Sequence, residues 1–183
     1  MRRYWFPKKY ADMVAKLRVP SGFVLVIAFA WLAAPTLRSL AWGVPVSIAG
    51  LAIRAWAAGH LAKNQQLAKS GPYAYVRNPL YGGTLLVAAG LVLAAQRIEL
   101  AVLFAAVFAF VYLPVIEQEE QHLAKLFPDF ASYADTVPLL LPQGRATDGQ
   151  APFQPQLYVR NQEYQALIGY LAGLCLLVWK ATA

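Results

Sequence analysis

The sequence predicts an all-α fold, a polytopic membrane bundle of about five transmembrane helices with a polar site at one end. Three observations predict it. The chain is 59% hydrophobic and only 14% charged, where soluble domains carry about 25% charged residues. Its mean hydropathy is +0.45. Its apolar residues also gather into runs of the length that crosses a bilayer, about 20 residues.

The first run is Val19–Leu37, preceded by Arg2, Arg3, Lys8, Lys9, Lys16 and Arg18. Basic residues followed by an apolar run resemble a secretory leader. Here, however, the run is longer than a leader core and the basic part is long and aromatic, so an uncleaved helix is expected. The second run, Val44–Ala62, should follow a short turn around Arg38 to Gly43. The third and fourth, Leu80–Gln96 and Ile98–Ile116, meet at Gln96-Arg97. Such short connections force antiparallel hairpins. The fifth, Tyr164–Trp179, is short and could instead lie in the interface. The segment Ala146–Gln162 is rich in Gly, Pro, Gln and Asp and reads as an irregular linker. The expected organisation is a basic segment 1–18, a membrane core 19–145, a linker 146–163 and a last helix 164–183.

The net charge of +7 is distributed unevenly. The N-terminal segment, Lys63, Lys69 and Arg77 fall on one side of the expected topology. Arg38, Arg97 and Lys180 fall on the other. The positive-inside rule puts the first side, with the N-terminus, in the cytoplasm, and a bacterial inner membrane is the expected location. The basic cluster suits an anionic lipid surface. Interleaved basic and aromatic surface of the kind that binds nucleic acid is missing. The single cysteine, Cys175, permits neither an intrachain disulfide nor a thiolate metal site. It lies in an apolar run and is expected to be packed or lipid-facing.

Two polar constellations fall on the basic side. The stretch Gly71–Gly83, GPYAYVRNPLYGG, combines the turn signals Gly-Pro and Asn-Pro with an arginine. Pro79 suits a first helical turn, and Asn78 is placed to cap it. The amides and dipole at that helix start favour a carboxylate or phosphate, with Arg77 as a nearby cation. Gly82 and Gly83 allow close approach by a ligand or another helix. The second constellation is Glu117-Gln118-Glu119-Glu120-Gln121-His122-Leu123. If the fourth helix continues, Leu113, Ile116, Glu120, Leu123 and Phe127 share a face. Glu120 then lies on an apolar stripe and needs a partner, either Arg77 or a loop lysine, or else a cationic or hydroxylated ligand. Gln118, Gln121, His122 and Lys125 point away. Arg54, expected roughly mid-membrane, calls for a pair or a functional role. His60 and Lys63 gather with Asn64 and Gln65 at the end of the second helix.

The stretch GPYAYVRNPLYGG resembles the glycine-proline-tyrosine and arginine-histidine-proline-x-tyrosine motif of the isoprenylcysteine carboxyl methyltransferase family, which is related in pattern to phospholipid N-methyltransferases. The later residues Glu119-Glu120, Phe127, Tyr133 and Val137–Pro142 are similar to that family's second motif. The resemblance covers roughly Arg54 to Pro142. It implies an integral membrane enzyme that uses S-adenosylmethionine in a cytosolic-face pocket, with a lipophilic acceptor entering from the bilayer. By match, Tyr73, Arg77, Asn78, Pro79 and Tyr81 line the cofactor side. Glu119 and Glu120 contact the cofactor or the reacting group. Asn78 stands where many members have histidine, and an amide cannot carry a proton at neutral pH.

The candidate set is therefore Glu120 and Arg77 for catalysis. His60, Lys63, Gly71, Pro72, Tyr73, Arg77, Asn78, Pro79, Tyr81, Glu119 and Glu120 surround the cofactor, and no metal is expected. The expected function is methyl transfer to a lipophilic or amphipathic acceptor, with a carboxylate as one option. The alternatives are phospholipid or amine N-methylation and a non-catalytic membrane binding protein. The expected partners are the bilayer and a lipophilic small molecule, not nucleic acid, and a homo-oligomer is left open.

Overall fold

A computed structural model describes residues 5–144 and 151–183. Arg2 and Arg3 of the basic cluster and residues 146–150 of the expected linker lie outside the described residues. The described residues are helical, with no strand among them. Four helices are long and apolar enough to cross a membrane. They are α1 (Lys8–Leu32), α2 (Leu37–Ala58), the continuous helix Ile98–Leu126, and α8 (Tyr164–Thr182). A shorter apolar helix, α3 (Pro79–Ala95), joins them. The helix Ile98–Leu126 consists of α4 (Ile98–Val107), a π-helical stretch (Phe108–Tyr112) and α5 (Leu113–Leu126). Short helices α6 (Phe130–Thr136) and α7 (Pro155–Arg160) complete the fold.

The first helix begins earlier than the apolar run, at Lys8. Ala11 and Val14 are buried along one of its faces, and lysine and arginine are good helix formers. The first connection is also displaced from its expected place. Residues Arg38 to Gly43 are helical, and the turn lies just before Thr36. The Thr36 side chain accepts from the Ser39 amide, while Ser39 Oγ accepts from the Thr36 amide. This capping box starts α2 at Leu37.

The core of the bundle is the α2–α3 pair, the most extensive helix contact in the fold. Gly43 and Gly50 on α2 face Gly90 and Gly83 on α3. A Cβ at Gly43 would lie 2.3 Å from the Gly90 carbonyl oxygen, and one at Gly50 would lie 2.6 Å from that of Gly83. Backbones this close exclude any side chain, which is how small residues drive helix association in lipid. Ser47 Oγ donates to the Val87 carbonyl at 3.1 Å across the same seam.

The π-helical stretch has a local cause. Pro114 has no N–H to give to the Phe110 carbonyl one turn earlier. The freed carbonyl accepts the Tyr10 hydroxyl at 2.7 Å, which docks α1 there. The amides of Trp5 and Phe6 donate to the Glu117 carboxylate at 2.7 and 3.2 Å. Outward-facing Val19, Phe23, Val26, Ile27 and Trp31 leave α1 largely exposed, as a lipid-facing helix would be. Cys175 is also exposed on α8.

At the opposite end of the bundle, Lys180 Nζ donates to the Ala30 carbonyl at 2.9 Å. Ser39 Oγ donates to the Ala94 carbonyl at 2.8 Å. These contacts bring the ends of α1, α3 and α8 together with the start of α2. The loop before α3 and the end of α5 consequently share the other end.

Candidate active site

The loop from Gly71 to Asn78 opens with a 3-10 turn, Gly71–Ala74. Gly71 has φ +57, and a Cβ there would lie 2.7 Å from the His60 ring, so glycine is required on both counts. Pro72, Tyr73 and Ala74 are buried. Tyr73 packs with Ala57 and Ala68, and burial raises its phenol well above the ordinary value. The Tyr133 hydroxyl, also raised by burial, donates to the Tyr73 carbonyl at 2.8 Å. Two backbone bonds clip the loop to the tail after α6. The Arg77 amide donates to Pro138 O at 2.8 Å and the Asn78 amide to Leu139 O at 3.1 Å. The two motifs are thus joined through main chain before any side chain is considered.

The side chains join them again. Arg77 Nε lies 2.6 Å from Glu120 Oε1, and Nη2 lies 3.3 Å from Oε2, in a two-pronged pair. Its Nη1 donates to Ala134 O at 2.9 Å and to Val137 O. The Arg77 side chain is 10% exposed and that of Glu120 is 14%. The partner that Glu120 requires on its apolar stripe is therefore Arg77. Asn78 occupies the N-cap position of α3, but its side chain does not cap it. Its Nδ2 donates to Glu120 Oε1 at 3.2 Å, a charge-assisted bond that turns the amide toward α5.

One residue back, Glu119 points to a different neighbourhood. Its Oε1 accepts the Tyr81 hydroxyl at 3.0 Å and lies 3.2 Å from Arg18 Nη1. The Arg18 guanidinium stands 5.6 Å from the Tyr81 ring centroid, and the Tyr112 ring meets Tyr81 edge-on at 6.2 Å. Arg18 and Glu119 are both 45% exposed. At Gly82, next in the chain, a Cβ would meet only the Leu140 carbonyl oxygen, at 3.8 Å. Pro79 is buried at the first position of α3, as expected.

The other candidates fall elsewhere at the same end. His60 is 7% exposed, with Nδ1 at 2.9 Å from Trp56 O and Nε2 at 3.1 Å from Ala151 O. Its ring sits among Trp56 and Phe153. Lys63 is exposed in the loop. Gly71 and Pro72 shape the loop, Gly71 by making room for His60.

Arg54 is not in mid-helix. Gly59 and His60 end α2 at Ala58, which leaves Arg54 about one turn from the site end. Its Nε and Nη2 pair with the two Glu163 carboxylate oxygens at 2.6 and 3.0 Å, and its Nη1 donates to Leu80 O and Thr84 Oγ1. Glu163 is 8% exposed. Its segment, expected to be irregular, contains α7 and packs on the end of α2. The Phe153 ring seats on Gly59, the Gln154 amide donates to Gly59 O at 2.9 Å, and Asn161 Nδ2 donates to Ala58 O and Leu61 O. These bonds satisfy carbonyls that a helix end leaves open. Sequence reading did not identify Glu163 or Arg18. A glutamate at the border of an apolar run is the signal that could have identified Glu163, since a buried carboxylate needs a cation.

The comparison that decides the family is a match of the phospholipid methyltransferase family model to residues 22–129. The chain belongs to the phospholipid methyltransferase family. The match spans more than half the sequence and includes both motif stretches through Asp129. As a family member, the chain shares 37% identity over 103 residues with the cobalt-zinc-cadmium resistance protein CzcN of Cupriavidus metallidurans, covering 55% of this chain and 46% of that protein. It shares 33% identity over 115 residues with the nickel-cobalt-cadmium resistance protein NccN of Alcaligenes xylosoxydans xylosoxydans, covering 62% and 53%. The chain spans about half the length of these curated relatives. No solved structure matches it. Among the described residues, no three His, Cys, Asp or Glu side chains group as metal ligands.

Proposed function

We propose that this family member is an S-adenosylmethionine-dependent methyltransferase that acts on a lipophilic or amphipathic acceptor at the cytosolic membrane face. One observation carries the reading: two motif stretches 43 residues apart meet in one hydrogen-bonded cluster, Arg77–Glu120 with Asn78, inside a phospholipid methyltransferase match. The cytosolic placement is supported by Lys8, Lys9, Lys16, Arg18, Lys63 and Lys69 at the site end, against Arg38, Arg97 and Lys180 at the other.

The side chains present fit a cationic nucleoside cofactor. The Tyr81 ring and the Glu119 carboxylate already hold a guanidinium. Bound S-adenosylmethionine would supply an electrophilic methyl group on a sulfonium. Tyr81 and Glu119 receive the positive charge by cation–π and carboxylate attraction. Tyr73, expected to line the cofactor side, is buried in its own cluster with Ala57 and Ala68 and holds the loop. Arg77 and Asn78 fix Glu120, and with it the approach of α5 to the start of α3. The dipole at that start would still favour the cofactor carboxylate, although Pro79 has no N–H and the Tyr81 and Gly82 amides already donate to Asn78 O at 3.1 Å. Catalysis then rests on positioning and on keeping water from the reacting groups.

The identity of the acceptor decides whether a base is needed. A carboxylate acceptor loses no proton. An amine acceptor, which the family's phospholipid description favours, must lose one. Glu119, the more exposed of the two carboxylates, is better placed to take it than Glu120, whose oxygens serve Arg77 and Asn78. The metal resistance named in the relatives enters here as a consequence: methylation of a membrane component would alter cobalt, zinc or cadmium tolerance in the host.

The test is titration of S-adenosylmethionine into detergent-purified protein, followed by product analysis on a lipid panel. Base-labile methyl esters identify a carboxylate acceptor and stable methylamines an amine. Binding without turnover on any acceptor supports a non-catalytic binding protein. Absence of binding to folded protein refutes the proposal.

A further inference from the structure

One corner of the candidate site is already filled by a cation of the chain itself. Arg18 lies over the face of Tyr81, 5.6 Å from its centroid, with Nη1 3.2 Å from Glu119 Oε1. The same oxygen accepts the Tyr81 hydroxyl at 3.0 Å, so ring and carboxylate are fixed relative to one another. Tyr112 closes one edge of the Tyr81 ring. A ring face and a carboxylate held together in this way form a receptor for positive charge.

Two of the arginine–glutamate pairs at this end differ in kind. Arg77–Glu120 is nearly enclosed, at 10% and 14% exposure, and Arg77 has two further carbonyl partners. Arg18–Glu119 is half exposed on both sides, and such a pair is weakly held. Arg18 also precedes the family-matched region, 22–129. It belongs to α1, which is anchored independently through Tyr10, Trp5 and Phe6. Loss of the Arg18 contact therefore does not release the helix.

We infer that Arg18 is an internal placeholder in a cation subsite formed by Tyr81 and Glu119, and that an incoming organic cation, a sulfonium or ammonium group, must displace it. The sulfonium rests on the cofactor reading above. The subsite itself rests on the resident guanidinium. Removing the Arg18 charge should favour cationic ligands and leave neutral analogues nearly unaffected.

S-Adenosylmethionine and S-adenosylhomocysteine differ only in the methyl group and its positive charge, so their affinity ratio isolates the subsite. Both are titrated calorimetrically into the full detergent-purified chain, as wild type, Arg18→Gln, Arg18→Lys and Glu119→Gln. Arg18→Gln should raise the ratio in favour of the sulfonium by about two- to fivefold, the range an exposed ion pair supplies. Arg18→Lys, which keeps the charge, should stay near wild type, and Glu119→Gln should lower the ratio. Binding of both nucleosides with an unchanged or lowered ratio in Arg18→Gln overturns the placeholder and leaves the cofactor reading standing. Binding of neither nucleoside, by wild type or Arg18→Gln, overturns the cofactor reading and this inference with it.

Discussion

Replacing Arg77 by alanine removes the guanidinium that faces Glu120, a side chain only 14% exposed. Four bonds go with it: two to the carboxylate and two to the Ala134 and Val137 carbonyls. Breaking a buried pair from one side typically costs 3–5 kcal/mol, because the remaining charge loses its counter-ion, although Glu120 keeps the Asn78 amide. The slight exposure of both groups places the expected loss at the lower end, about 3 kcal/mol. For a chain of this length, that corresponds to a fall in apparent Tm of roughly 6–12 °C. Glu120→Ala should cost less, about 2 kcal/mol, since Arg77 keeps its two carbonyl acceptors. The double variant should be less destabilised than the sum by about 2 kcal/mol, as expected for residues in direct contact. Thermal unfolding followed by tryptophan fluorescence in detergent measures all three variants. Additivity within about 0.5 kcal/mol would show that the two motifs are not coupled through this pair. The positioning role assigned to the cluster would then lose its structural basis.

Gly90→Ala places a Cβ 2.3 Å from Ser47 Oγ and 2.4 Å from the Gly43 carbonyl. It should destabilise the α2–α3 pair by about 1–3 kcal/mol, read as a lower unfolding midpoint, while Gly169→Ala on open α8 should stabilise or leave it unchanged. Glu163→Ala leaves Arg54 without its carboxylate, and about 3 kcal/mol should be lost. Arg54→Met combined with Glu163→Leu should recover most of it, and failure to recover would argue against the pair as the cause. Lys69 donates to Asp129 and holds its carboxyl below the ordinary value. A lowered folded value means that the contribution is present above the unfolded carboxyl range and is lost as pH falls through the folded one. NMR titration should find Asp129 ionised below the usual aspartate range, and Lys69→Ala should return it there.

Much of the fold was legible because apolar run length reports directly on helices that cross lipid. The shared end of the two motifs followed from topology alone, whereas the apolar run stopped at Ile116 and the helix goes on to Leu126. Boundaries failed where side chains decide them. The Thr36–Ser39 capping box was in the sequence, but it straddles the end of the apolar run Val19–Leu37 and the Arg38–Gly43 stretch that read as the turn. The Gly43, Gly50, Gly83 and Gly90 seam was equally visible as paired seven-residue spacings. Periodicity alone, however, does not say which helix supplies the opposite face. In the site, Glu120 was legible as a carboxylate in need of a partner. Asn78 stands at the N-cap position without capping, because its amide is turned to a carboxylate 42 residues away in the chain, which local sequence does not show. Arg18 resembled the rest of a basic membrane-surface cluster, and only its position over Tyr81 distinguishes it.

Two partly buried arginines, Arg54 and Arg77, divide the work between the matched region and the segment beyond it. Arg77 ties α3 to α5 and α6, all within or adjacent to residues 22–129. Arg54 ties α2 to the first turn of α3 through Leu80 and Thr84, and then reaches outside the match to Glu163. A Cβ at Gly83 would lie 2.5 Å from the Arg54 Cγ. The glycine that lets α2 and α3 touch is therefore also the one that lets Arg54 cross to the far partner. With its carboxylate removed, Arg54 would be a partly buried cation resting on a hydroxyl and one carbonyl, pulling on the helix start that carries Asn78, Pro79 and Tyr81. The segment 151–163 thus does more than connect the bundle to α8. It neutralises the charge on which the start of α3 is built, and it does so from outside the region that defines the family.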